Sequence, residues 1–80
     1  MRGYGTSLAM VTPGKLITVI GFRGGFGLER RLADMGLTPG VELKVINNER
    51  HGPVLIELRG SRLALGRGVA HHILVEESRA

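Results

Sequence analysis

The chain contains no cysteine. That one absence removes a disulfide framework, a thiolate metal centre and a cysteine nucleophile together. Aromatic side chains are nearly missing as well. Tyr4, Phe22 and Phe26 are the full set, so a core has to be built from Leu, Ile and Val. Clustered platforms for stacking nucleic-acid bases are lacking for the same reason. No apolar run approaches the roughly 20 residues that span a bilayer. The longest strand-like run, Leu16 to Ile20, is interrupted by Thr18. No secretory leader is expected before the domain. Ser7, Ser61 and Ser78 have no adjacent base with an orienting acid, and no carboxylate pair has a recognisable spacing, so catalysis is not expected. These absences predict a non-enzymatic, cytoplasmic protein that conducts nothing across a membrane by itself.

What is present points to a small β-barrel. Eighty residues make one domain near the lower size limit for an independent core. Thirteen glycines signal many tight turns, as in small barrels. A net charge of +4 favours acidic partners without choosing among protein, nucleic acid and anionic lipid. We read residues 1–5 as a frayed N-terminus, 6–77 as a single domain and 78–80 as a tail.

The segment from Arg30 to Val41 carries the most local information. Leu28, Leu32 and Met35 recur at helical spacing and predict one short amphipathic helix. Arg30 and Asp34 can pair along its outer side. Gly36 stands where a helix end wants a left-handed residue, with Leu37 placed to cover the last turn. Pro39-Gly40 then supplies the two central residues of a type II turn. Thr12-Pro13-Gly14 repeats the Thr38-Pro39-Gly40 pattern, and a strand is predicted after each. Ile17 and Val19, then Val41, Leu43 and Val45, alternate toward one face.

Thr6 to Val11 reads as one helical turn or a short strand plugging a barrel end. Val54, Ile56 and Leu58 alternate inward. Gly60-Ser61 reads as a two-residue hairpin turn that sets Arg59 opposite Arg62, Leu58 opposite Leu63, and Ile56 opposite Leu65. Gly66 to Ala70 predicts a brief 3₁₀ turn, and His71 to Glu76 a closing strand. The predicted fold is all-β: a small barrel of about five strands with one short α-helix.

Several residues are candidates for function. His51, His71 and Glu76 carry the donor chemistry of a site for iron, manganese or zinc. On a strand, His71 and His72 point to opposite faces and cannot chelate one ion together; His71 would then share a face with Ile73 and Val75. The competing reading makes these ordinary surface or capping histidines. Arg59 and Arg62, with Arg50 and Arg67 near them, suggest a basic patch or a plain solvated face. A phosphate cradle at Gly24-Gly25-Phe26-Gly27 lacks the lysine and hydroxyl that should follow it. Arg30, Arg31, Leu32, Met35 and Leu37 form the best candidate for a partner-binding patch, apolar and rimmed by arginine. The alternative is that Leu32, Met35 and Leu37 are core.

One known family matches these motifs. Pro13-Gly14-Lys15, the run Arg31-Leu32-Ala33-Asp34-Met35-Gly36-Leu37-Thr38-Pro39-Gly40, Gly52-Pro53, and Leu63-Ala64-Leu65-Gly66 followed by Ala70 resemble FeoA, the small cytosolic component of bacterial ferrous-iron transport. The resemblance spans roughly residues 8–76 and implies an SH3-like barrel. It further implies an accessory or regulatory protein that docks on the ferrous-iron permease with its cytosolic GTPase domain, meeting the membrane only through that partner. The same domain ends iron-dependent repressors, so a metal-binding sensor acting through a partner is the alternative. A small RNA-binding barrel ranks below both, nucleic acid not being the expected partner. Open barrel edges also allow a homodimer.

Overall fold

Two turns of the same chemistry set the frame of the sheet. In the computed structural model, which describes residues 5–78, Thr12-Pro13-Gly14 leads into strand β2 (Leu16–Phe22), and Thr38-Pro39-Gly40 leads toward β3 (Glu42–Asn48). The two strands pair antiparallel, Leu16 opposite Lys44 and Ile17 opposite Leu43. Each turn is latched onto the middle of the other turn's strand. Gly14 N–H donates to the Val45 carbonyl, and Val45 N–H returns a bond to the Lys15 carbonyl. In mirror fashion, Gly40 N–H donates to Val19 and Val19 N–H to Val41. The repeated tripeptide therefore does the same work twice, about a local two-fold axis.

The remaining strands are β1 (Thr6–Ser7), β4 (Val54–Leu58), β5 (Ser61–Leu65) and β6 (Ile73–Glu77). They complete one antiparallel sheet in the order β1-β6-β2-β3-β4-β5. Bulges between Val19 and Gly21 and between Val45 and Asn47 bend the long central strands, so the sheet curls over its own apolar face. Ile17, Val19, Leu43, Val45, Val54, Ile56, Ile73 and Val75 fill that concave side, none more than 1% exposed. Val41 is only partly buried against them. Leu8, Ala9 and Val11 close one end from a 3₁₀ turn at Leu8–Met10. Thr6 to Met10 thus holds both of the structures expected there, a two-residue strand followed by one helical turn. The fold is the mostly β, SH3-like one expected, with a sixth strand supplied by Thr6–Ser7.

Helix α1 (Phe26–Asp34) crosses outside the sheet. Its C-terminus is a Schellman cap: Leu37 N–H bonds the Leu32 carbonyl and Gly36 N–H the Ala33 carbonyl, both at 2.9 Å. Gly36 has φ 91°, the left-handed conformation this cap requires. Leu32 and Leu37 are the apolar pair that goes with it, and both are buried.

Two local expectations are corrected. The β4–β5 turn is Arg59-Gly60 rather than Gly60-Ser61. Both residues have positive φ, 53° and 82°, the type I′ geometry that matches strand twist. The register becomes Glu57 opposite Arg62, Ile56 opposite Leu63 and Val54 opposite Leu65. Moving a two-residue turn by one position moves each partner by two, so the buried faces survive while the expected Arg59–Arg62 opposition disappears. The second correction is at residues 66–72. Arg67–His71 forms a short helix, α2, rather than a 3₁₀ turn, and β6 begins only at Ile73.

Candidate functional site

Helix α1 offers solvent only part of what its sequence suggests. Leu32 is 2% exposed and Leu37 0%, so both serve the cap and core, with Leu32 also at the floor of the groove described below. Met35, 41% exposed, remains available, as do Arg30 and Arg31. The two arginines part ways. Arg30 lies on the outer flank with Gly27, Glu29 and Ala33. Arg31 lies with Leu28 and Met35 along a groove of about 180 Å³. The opposite wall is Ala64, Leu65 and Gly66 from the end of β5, with Val69 of α2 closing one side. The groove is apolar, holds one cation and has no carboxylate in its lining. Arg30 and Asp34 do not pair; among the described residues the ion pair is Lys15 with Glu77.

The expected basic patch is broken up. Arg59 occupies the β4–β5 turn and Arg62 stands opposite Glu57, both exposed. Arg67 turns inward. Its guanidinium donates to the carbonyls of Glu49 at 2.6 Å, Gly52 at 2.9 Å and Ala9 at 3.2 Å, and to Asn48 Oδ1 at 2.7 Å. Asn48 Nδ2 in turn donates to the carbonyls of Ala9 and Val11. This cluster ties α2, the β3–β4 loop and the N-terminal 3₁₀ turn together. Nothing in the local sequence marks it, because its acceptors are main-chain carbonyls brought together only by the fold.

The candidate metal donors are not assembled. His51 lies in the exposed β3–β4 loop, His71 on the last residue of α2, and Glu76 on β6. Among the described residues no three His, Asp or Glu side chains come close enough to share an ion. His71 is exposed on a helix, not half-buried on a strand beside Ile73 and Val75, because the chain from Arg67 coils instead of extending. His72 follows as the C-cap, its Nδ1 at 2.8 Å from the Gly68 carbonyl. Its own carbonyl accepts from Arg23 N–H at 2.8 Å, and its ring lies against Gly24. The glycine-rich loop is therefore a packed connection into α1.

A second groove, about 190 Å³, lies at the opposite end of the sheet between Met10, Lys15, Ile17 and Glu77. The Lys15–Glu77 ion pair sits on its rim. The hydrogen bond from Lys15 and its charge hold the Glu77 carboxyl below the usual glutamate range. No helix among the described residues is long and apolar enough to cross a membrane.

The comparisons with known proteins agree. The family model described as the FeoA domain matches residues 6–77. A protein of Methanocaldococcus jannaschii, provisionally named Fe(2+) transport protein A, is 42% identical over 71 residues, covering 89% of this chain and 85% of its own. A crystal structure of an iron uptake regulatory protein, FeoA, superposes with a TM-score of 0.82 at 34% identity, covering 92% of this chain and 97% of the other. The NMR structure of a FeoA-like protein from Clostridium acetobutylicum gives 0.84 at 29% identity, covering 99% and 93%. With its latched turns, Schellman-capped helix and curled six-stranded sheet, this chain belongs to the FeoA domain family.

Proposed function

We propose that this chain serves Fe²⁺ uptake as a non-catalytic accessory protein. In this reading it docks on the cytosolic, GTPase-containing part of the ferrous-iron permease and biases that machine's conformations. The observation that carries the reading is the α1–β5 groove: an apolar trough with a half-exposed methionine and one arginine, left open on a chain whose other apolar side chains are mostly core. Exposed Met and Arg beside apolar surface are enriched at protein interfaces. Family membership and the iron-transport name of a 42% identical relative supply the pathway. A docking protein shifts a partner's equilibrium only by binding its two states with different affinity, and a tenfold difference corresponds to about 1.4 kcal/mol.

The test is capture on immobilised chain from solubilised membranes containing the cognate permease, with iron added and with iron chelated. The reading expects the permease among the retained proteins, and slower Fe²⁺ uptake in cells lacking this chain. Permease passing through unretained at low salt, with uptake unchanged in the deleted cells, overturns it.

A further inference from the structure

The α1–β5 groove has one wall made of unpaired main chain. Among the described residues β5 is the terminal strand of the sheet and pairs only with β4. Across a two-residue turn the flanking residues, here Leu58 and Ser61, form a hydrogen-bonded pair, and such pairs then alternate along the ladder. Ser61, Leu63 and Leu65 therefore bond inward to Leu58, Ile56 and Val54, while Arg62 and Ala64 turn their N–H and C=O groups away from the sheet. Among the described residues no protein group takes up those of Arg62 and Ala64. Both residues are exposed. An edge of this kind is a template for one more strand.

The facing wall is a helix. Leu28, Arg31 and Met35 of α1 run along the groove opposite Ala64 and Leu65. A free strand edge faced by an apolar helix is the geometry by which proteins take an extended peptide as an added strand, with main-chain bonds giving affinity and alternate side chains giving selectivity. The charge in its lining is positive. Arg31 lies in the groove and Arg62 on its edge strand, Arg59 is exposed at the adjoining turn, and the groove lining holds no carboxylate. Glu57, opposite Arg62 on β4, is the nearest acid along the ladder.

The geometry points to the α1–β5 groove as a receptor for an extended acidic segment of a partner protein, added antiparallel or parallel to β5. Alternate apolar residues of that segment enter between Leu28, Met35 and Ala64, and its carboxylates meet Arg31 and Arg62. The inference rests on the docking reading only for the identity of the natural partner; it names the surface and the kind of segment that surface takes.

The test needs no permease, so its failure and the failure of the docking reading are distinguishable. The ¹⁵N-labelled chain is titrated with a blocked nonapeptide of alternating glutamate and valine, and separately with its lysine–valine counterpart. The inference expects saturable shifts of the Arg62 and Ala64 amides and the Met35 methyl, with slowed exchange of those two amides, for the glutamate peptide alone. Arg31→Glu combined with Arg62→Glu should weaken binding at least tenfold. Ala64→Pro, which removes an outward N–H and leaves the β4 ladder intact, should abolish the effect in a chain whose thermal unfolding shows it folded. If Ala64→Pro does not fold, Met35→Asp on the groove's far wall replaces it. Equal response to the lysine peptide, shifts confined to the β1 edge, or no shift at millimolar peptide overturns the inference. Concentration-dependent shifts of the same amides without peptide overturn it too, because the occupant is then a second copy of this chain.

Discussion

Arg59 carries backbone strain for the sake of the hairpin. Its φ of 53° places an ordinary side chain in the left-handed region, which costs about 1–2 kcal/mol. Asparagine tolerates that region and forms the preferred type I′ pair with a following glycine. Arg59→Asn is therefore expected to raise stability by about 0.5–1 kcal/mol, read as a higher midpoint in urea. Arg67 is the opposite case. Its guanidinium is the one cation holding three main-chain carbonyls and Asn48, and charge-assisted bonds of this kind are stronger than neutral ones. Removing it in Arg67→Ala leaves partly buried acceptors unsatisfied, an expected loss of about 1–3 kcal/mol in the same assay. Lys15 and Glu77 provide the pH-dependent contact. Glu77 titrates below its ordinary range because Lys15 donates to it and is charged. The pair's small contribution is therefore complete at neutral pH and is lost as pH falls through that lowered value. In Lys15→Gln the Glu77 carboxyl should titrate in the ordinary glutamate range, measured by NMR.

At the level of elements, the end of α1 was legible and the β4–β5 hairpin only partly so. Gly36, Leu37, Pro39 and Gly40 each have a narrow conformational range, and together they admit one solution: a Schellman cap followed by a type II turn, closed by Val41 N–H on the Thr38 carbonyl at 3.1 Å. Gly36→Ala would force a Cβ into φ 91°, at 3.4 Å from Leu58 Cδ2. The expected cost is about 1–2 kcal/mol, with the Leu37 amide exchanging faster as the cap loosens. At the hairpin, glycine can serve either position of a two-residue turn, and the alternation of Val54, Ile56 and Leu58 fits both registers. Reading Gly60 as the first turn residue gave one register; the structure uses it as the second, pairing Val54 with Leu65 and Ile56 with Leu63. Residues 66–72 failed for another reason. His71, Ile73 and Val75 alternate as a strand would, yet burial of Ala70 against the 3₁₀ turn at Leu8–Met10 winds Arg67–His71 into a helix. Of the residues proposed for partner contact, Arg31, Leu32 and Met35 line one groove, Arg30 lies on the outer flank and Leu37 is core. Arg67 and Asn48 were invisible because their role exists only once distant loops have met.

For the whole molecule, the apolar inventory of so small a chain is mostly spent on one concave sheet face. Among the described residues the exposed large apolar side chains are Met10, Leu16, Ile20 and Met35. Met35 is the one set beside an arginine on a groove with an open strand edge. The two turns latch its central strands, and Arg67 ties α2, the β3–β4 loop and the N-terminal 3₁₀ turn together. The net charge of +4 should speed encounter with an acidic surface and make it salt-sensitive. The most direct measurement is a calorimetric titration of the folded chain into the soluble cytosolic portion of the cognate permease at low salt, repeated with Arg31→Glu and with Met35→Asp. The account predicts saturable binding that weakens at least tenfold in each variant and declines as salt is raised. Absence of saturable heat for the wild-type chain, or full affinity in both variants, would contradict it.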